Sequence, residues 1–196
     1  RGEHPETQPL APGSHRRKED IGTRRDQHER RTGRWLLQGL QHRILRFRNH
    51  RIRIIDNDDA ALAVAAGADG VHIGMDDASI ATAREIVGTD RLVGVSCYNE
   101  LARARAAQAA GADYVAFGRF FASRTKPQAV PAAPELLRAA RAELKIPIVA
   151  IGGITPENGA SLIAAGADAL AVIEGVFNQP DIRAAAERYA RLFKEM

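Results

Sequence analysis

The 196 residues, 45% of them hydrophobic with 17 Gly and 9 Pro, read as an ordinary globular chain of one domain or two small ones. A single cysteine, Cys97, excludes an intramolecular disulfide framework; no apolar run approaches the roughly 18 residues of a membrane helix, and the first 30 residues hold no apolar signal-peptide region, so a cytoplasmic protein with no membrane partner is expected. The net charge of +4 is unevenly divided, with 14 Lys+Arg against 6 Asp+Glu in residues 1–53 and 14 against 18 in the remainder.

Residues 1–51 are rich in arginine and histidine, with 12 Arg, 1 Lys and five of the six His. A basic arm of this kind can bind an anionic surface through phosphate contacts. It has no zinc-ligand spacing, no RNA-binding aromatic pattern and no sustained heptad, so no specific nucleic-acid partner is expected. Within it no strand is expected, and only residues 34–47 (RWLLQGLQHRILRF) suggest a short amphipathic helix. From residue 52 to 196, short apolar runs alternate with Ala-rich segments. Strands are predicted at 52–55 (IRII), 71–73 (VHI), 92–95 (LVGV), 114–117 (YVAF), 148–151 (IVAI) and 169–173 (ALAVI), each followed by a loop and a helix, which makes six βα units. Their unbroken hydrophobicity points to a parallel sheet buried on both faces. Helix boundaries are marked by Asn99 before ELARARAAQAA with Gly111 after it, by Thr155-Pro156 before a segment closing at Gly166, and by Asp181 before IRAAAERYARLFKEM.

The motif Ala-Ala-Gly-Ala-Asp recurs at 65–69, 109–113 and 164–168, each time between a helix and a strand. Gly can adopt the left-handed conformation that ends a helix, and small Ala residues let the helix return close to the sheet, so packing accounts for the repeat. Its aspartates precede strands and belong to the non-catalytic face of a βα barrel. Asp58 and Asp59, and then Asp76 and Asp77, instead follow strands, at the carboxyl ends where barrel enzymes carry their chemistry. Each pair can spare one residue to cap a helix beginning at Ala60 or Ala78. Two carboxylates converging from adjacent strands repel unless a cation lies between them, and hard oxygen ligands suit Mg²⁺.

Three further loops end strands at the same rim. GRFFASRTKP (118–127) offers two hydroxyls and three cations, a cradle for a diphosphate or else an exposed basic loop. Gly152-Gly153-Ile154-Thr155 opens a helix whose backbone N–H groups could hold a phosphate, or simply makes a turn. Ser96 could bond a substrate or start a helix. His72 reads as a packed core histidine and Cys97 as a small buried or half-buried side chain.

The series Asn57-Asp58-Asp59, His72-Ile73-Gly74-Met75-Asp76-Asp77, Gly94-Val95-Ser96, Ser123-Arg124-Thr125-Lys126-Pro127 and Val149-Ala150-Ile151-Gly152-Gly153-Ile154-Thr155 resembles thiamine phosphate synthase, a (β/α)₈ TIM-barrel family, in order, spacing and strand-end position over residues 52 to about 190. The resemblance implies an α/β fold and the joining of hydroxymethylpyrimidine diphosphate to a thiazole phosphate, with release of pyrophosphate and no general base. It implies Asp58 and Asp77 as Mg²⁺ ligands, and Asn57, Ser123, Thr125 and Lys126 around the diphosphate. Ser96 and Lys126 would be the catalytic residues. Gly153, with the backbone near Ile173 and Glu174, would receive the thiazole phosphate.

The chain departs from the family pattern at Met75, where glutamine is frequent, at Tyr98, where histidine is frequent, and at Glu174, where a small serine is usual. A carboxylate beside a phosphate is repulsive unless it turns away. A closed barrel needs eight βα units and only six are counted, so the first two are expected to be missing or replaced. Residues 1–51 are accordingly expected to be a frame-shifted, misassigned or disordered segment rather than the family's natural amino terminus. The edge of the first strand would then be unpaired. Two alternatives remain open at this point: a thiazole tautomerase-like relative that needs no metal diphosphate, and a non-catalytic truncated barrel with a basic anion-binding arm.

Overall fold

The runs rich in Ile and Val form strands and the Ala-rich segments between them form helices. The computed structural model describes residues 44–46, 52–123 and 128–194. The strands are β1 (Ile44–Arg46), β2 (Ile52–Asn57), β3 (Gly70–Ile73), β4 (Leu92–Tyr98), β5 (Tyr114–Phe117), β6 (Ile148–Ile151) and β7 (Ala169–Ala171). The helices are α1 (Ala60–Ala65), α2 (Ile80–Val87), α3 (Leu101–Ala109), α4 (Pro134–Glu143), α5 (Pro156–Ala164), α6 (Glu174–Phe177) and α7 (Ile182–Leu192). No helix among the described residues is long and apolar enough to cross a membrane.

Strands β2 to β7 pair in sequence order and all in parallel. Because side chains alternate along a strand, the sheet has two separate cores. Outward residues such as Val71, Val93, Val95, Val115, Phe117 and Ile148 pack against the helices. There the helices present Ala63, Ala83, Ala104, Ala107 and Ala140, each nearly or fully buried, which lets them sit close to the strands. On the inner face Ile55, Tyr114, Ala116, Val149 and Ala169 form one cluster, so residues from β2 and β7 share an interior. The six parallel strands are therefore curled into part of a barrel.

Several boundaries differ from expectation for identifiable reasons. Strand β4 continues through Ser96 to Tyr98, pairing with β5 across an irregularity in register between Ser96 and Tyr98. Strand β7 stops at Ala171, where β6 runs out of partners at Ile151. Helix α2 starts at Ile80 rather than Ala78, because Ser79 is the cap and its Oγ accepts from Thr82 N at 3.1 Å. Helix α3 is capped at Glu100 rather than Asn99, since a turn with Glu100 N donating to Cys97 O intervenes. Thr155 and Asp181 cap α5 and α7 as their sequences suggest.

The largest difference lies in the basic arm. Residues 1–43 and 47–51 fall outside the described residues, as does most of the helix expected over 34–47. Its described part, Ile44–Arg46, is a strand, contrary to both the expected helix and the expected absence of strands. Strand β1 runs antiparallel to β2 in the register Ile44↔Ile54, Leu45↔Arg53 and Arg46↔Ile52. The physical reason is the edge itself: an exposed row of N–H and C=O groups on β2 is satisfied by pairing with the nearest extended segment. The β2 edge expected to be open is thus covered, and Cα atoms of β1 also approach those of β7 within 8 Å.

Candidate functional site

At the end of β2 the backbone makes a sharp departure from the sheet. Asp58 has φ of +78°, a left-handed conformation rare for a residue with a side chain, and its N–H donates to His72 O on β3 at 2.9 Å. Residues held in this way cluster at sites where position matters more than comfort. Asn57 Nδ2 donates to Asp58 Oδ2 at 2.5 Å. Asp59, by contrast, caps α1 through Leu62 N at 2.9 Å. Of the first acidic pair, Asp58 is therefore the one not used as a cap.

The second pair divides differently. Neither Asp76 nor Asp77 caps α2, since Ser79 does. The Asp77 carboxylate folds back to the end of β3, where Oδ2 accepts from Gly74 N at 2.5 Å. Gly74 is two residues beyond His72, whose carbonyl holds Asp58 N, so Asp58 and Asp77 are anchored to neighbouring positions on one rim. Among the described residues no cluster of three or more His, Cys, Asp or Glu side chains could hold a metal ion. A pair of carboxylates on adjacent strand ends nevertheless suits Mg²⁺, which takes one or two carboxylates and completes its octahedron with water and substrate phosphate.

Ser96 lies inside β4 and faces inward, which rules out the helix-starting alternative. Its Oγ is 2.8 Å from His72 Nε2, and His72 Nδ1 is 3.0 Å from Tyr114 Oη. His72 is 4% exposed, so it is packed as expected, but it faces the barrel interior and holds the hydroxyl of a candidate site residue. Strand parity carries the signal that sequence reading passed over: His72 pairs with Gly94 across β3 and β4, on the same face as Ser96. Gly94 has no side chain because Tyr114 crosses it; a Cβ there would lie 1.9 Å from the Tyr114 ring. Cys97 faces the other way and is buried, which pushes its thiol up to about 12 even though Arg103 pulls it in the opposite direction. It stays protonated and offers no nucleophile.

The loops after β5 and β6 run against each other. Phe120 N donates to Ile151 O and Phe121 N to Gly152 O, both at 3.1 Å. Gly153 has φ of +62°, and a Cβ on it would fall 2.3 Å from Ala122 O, so only glycine allows this approach. Asn158 fixes the Gly153 turn by donating to its carbonyl and accepting from Thr155 N at 2.8 Å. Arg119 ties the far side of the β5 loop through Ala129 O at 2.8 Å. Ser123 is half-buried at the end of the described part of this loop; Thr125 and Lys126 lie outside the described residues. After β7, Ile173 is the N-cap of α6 and Glu174 its exposed first residue. The Tyr189 hydroxyl, pushed up to about 12 mainly by burial, donates to Ile154 O at 2.9 Å and packs over Gly175, joining the β6 loop to α6.

Two more residues join these loops: Tyr98, noted in the sequence only as a departure from the family pattern, and Arg103, which the sequence did not single out. Tyr98, with φ of +54°, receives Met75 N on its hydroxyl at 3.3 Å. Arg103 on α3 donates to the carbonyls of Ser96 and Gly74. In sequence Arg103 is one of two arginines in an Ala-rich helix, and only the tertiary structure separates it from Arg105.

The family profile described as thiamine monophosphate synthase (TMP-TENI) matches residues 25–176, and so begins within the basic arm. The chain is 60% identical over 140 residues to the thiamine-phosphate synthase of Nitrosococcus oceani, covering 71% of this chain and 64% of that protein. It is 56% identical over 146 residues to the thiamine-phosphate synthase of Thiobacillus denitrificans, covering 74% and 69%. The chain therefore spans about two thirds of the length of these relatives. The thiamine phosphate pyrophosphorylase structure from Pyrococcus furiosus superposes with a TM-score of 0.64 at 35% identity, covering 72% of this chain and 67% of that one. With this profile match over most of its length, the chain belongs to the thiamine monophosphate synthase family.

Proposed function

We propose that the chain is a thiamine-phosphate synthase, a Mg²⁺-dependent transferase that joins a hydroxymethylpyrimidine diphosphate to a thiazole phosphate in thiamine biosynthesis, and that it works in the cytoplasm. The observation that carries this reading is the anchoring of Asp58 and Asp77 on adjacent strand ends, each left free of helix capping by a neighbouring residue that does the capping. Identity of 56–60% to two thiamine-phosphate synthases supports it.

Asp58 and Asp77 would hold Mg²⁺, which when bound supplies positive charge to the leaving diphosphate. Asn57, Ser123, Thr125 and Lys126 hold the diphosphate oxygens, and the Lys126 ammonium adds charge as the leaving group departs. The bond from the pyrimidinylmethyl carbon to the diphosphate oxygen breaks with its electron pair leaving on pyrophosphate. The thiazole nitrogen then forms the new C–N bond. That nitrogen has no proton to lose, so the reaction needs no general base, and the buried, protonated Cys97 offers no competing nucleophile. Ser96, oriented by His72, contacts the pyrimidine diphosphate at the reacting centre. Gly153 and the backbone near Ile173 and Glu174 receive the thiazole phosphate through N–H groups, Glu174 itself being exposed.

The test is to incubate the purified chain with both substrates, with Mg²⁺ or with EDTA, and to identify the products. Equimolar thiamine phosphate and pyrophosphate formed only with Mg²⁺ is the expected result. Absence of product with Mg²⁺ present would overturn the proposal, and isomerisation of the thiazole without metal would favour a tautomerase instead.

A further inference from the structure

Arg103 has no part in the reaction described above, yet it joins two of the strand ends that frame the site. It is the third residue of α3 and is half-buried. Its Nε donates to Ser96 O at 2.8 Å and its Nη2 to Gly74 O at 2.9 Å. The guanidinium lies 5.8 Å from the Tyr98 ring centroid, within reach of a cation–π contact. Ser96 belongs to β4 and Gly74 follows β3, so one planar group spans neighbouring strands. Each acceptor residue holds a site group with its other polar atom. Ser96 Oγ pairs with His72, and Gly74 N–H holds the Asp77 carboxylate. Tyr98 completes the bracket by accepting from Met75 N, within the same turn.

We propose that Arg103 is a positioning residue that fixes the turn from Gly74 to Asp77 against Ser96, so that the metal-binding carboxylate and the substrate-facing hydroxyl keep one relative placement. This rests on the reading of Asp77 as a Mg²⁺ ligand. The two carbonyls demand the rigid fork of a guanidinium; a lysine ammonium is a single point on a flexible stem and cannot reproduce the pair of bonds. Arg105, two residues along the same helix, pairs instead with Glu143 on α4 and serves as a control.

The experiment compares the wild-type chain with R103M, R103K, R105M and D77N. Mn²⁺ binding in the presence of pyrophosphate is read by electron paramagnetic resonance, and Mg²⁺ titrations of turnover are run alongside. Far-UV circular dichroism establishes that each variant is folded. R103M should weaken Mn²⁺ binding roughly tenfold to a hundredfold, as loss of a group that orients metal ligands does. R103K should recover only part of this, R105M should match wild type, and KM for the thiazole phosphate should stay within about twofold in all. Wild-type Mn²⁺ affinity in R103M or in R103K, with D77N weakened, overturns the role of Arg103 while leaving the metal reading intact. If R103M does not fold, R103K alone decides. A matching rise in KM for the thiazole phosphate would mean general loosening and would also overturn the proposal. Unchanged affinity in D77N would instead overturn the metal reading on which it rests.

Discussion

Ser96 and Cys97 are neighbours on β4 with opposite surroundings, one facing the barrel interior and one facing the helices. Burial raises the Cys97 thiol from 9.0 to about 12. The folded state therefore holds this proton more tightly than the unfolded chain. Its stabilising contribution is complete below about pH 9 and is lost as pH rises toward 12. Thermal unfolding followed from pH 8 to 11 should fall more steeply for wild type than for Cys97→Ala, and parallel curves would contradict this. The native thiol should also resist a disulfide-exchange reagent near neutral pH and react fully once unfolded. At this scale sequence reading was uneven. The strand-end positions of the pairs Asp58/Asp59 and Asp76/Asp77 and the burial of Cys97 were legible from the strand pattern, with Asp58 and Asp77 distinguished within their pairs only by the family resemblance, whereas the inward direction of His72 required strand register and the reach of Arg103 required the packing of α3 against the sheet.

The repeated Ala-Ala-Gly-Ala-Asp segments show what an element contributes beyond its own length. Gly67, Gly111 and Gly166 all take positive φ at helix ends, as the motif suggested. The aspartates go further than packing. Asp113 Oδ2 accepts from Val93 N at 2.7 Å and from Arg84 at 2.6 Å, and Asp168 Oδ2 accepts from Ile148 N at 2.8 Å and from Arg141. Each carboxylate thus closes the amino-terminal end of the preceding strand and ties it to the preceding helix, at the rim opposite the site. Asp168→Ala leaves Ile148 N–H unsatisfied and should cost about 1–3 kcal/mol in unfolding free energy, measured by urea denaturation, with the Mg²⁺ dependence of turnover unchanged. Gly153→Ala must both adopt a positive φ and clear Ala122 O; it should cost about 1–3 kcal/mol and also raise KM for the thiazole phosphate. Strand and helix identity followed from local hydrophobic pattern, while the caps at Ser79 and Glu100 and the ends of β4 and β7 were set by pairing and turn geometry that local pattern does not contain.

The described residues from 52 onward form an arc of six parallel βα units whose inner face is one cluster and whose first edge is covered by an antiparallel strand. The six units were legible because each repeats the same pattern of apolar run, loop and Ala-rich helix. Strand β1 was not, since an Ile-Leu pair among arginines carries almost no local signal and becomes a strand only against the β2 edge. The order of the sheet matters to the proposed function because Asp58 and Asp77 come from different units and follow adjacent strands only through the parallel pairing of β2 with β3. The most direct test is a Mg²⁺ titration of turnover for Asp58→Asn, Asp77→Asn and the double variant. Two ligands of one ion act as a unit, so each single change should lower turnover at least roughly a hundredfold and the double variant should be little worse than either. Near-normal turnover in either single variant, or losses that multiply in the double, would contradict the shared site.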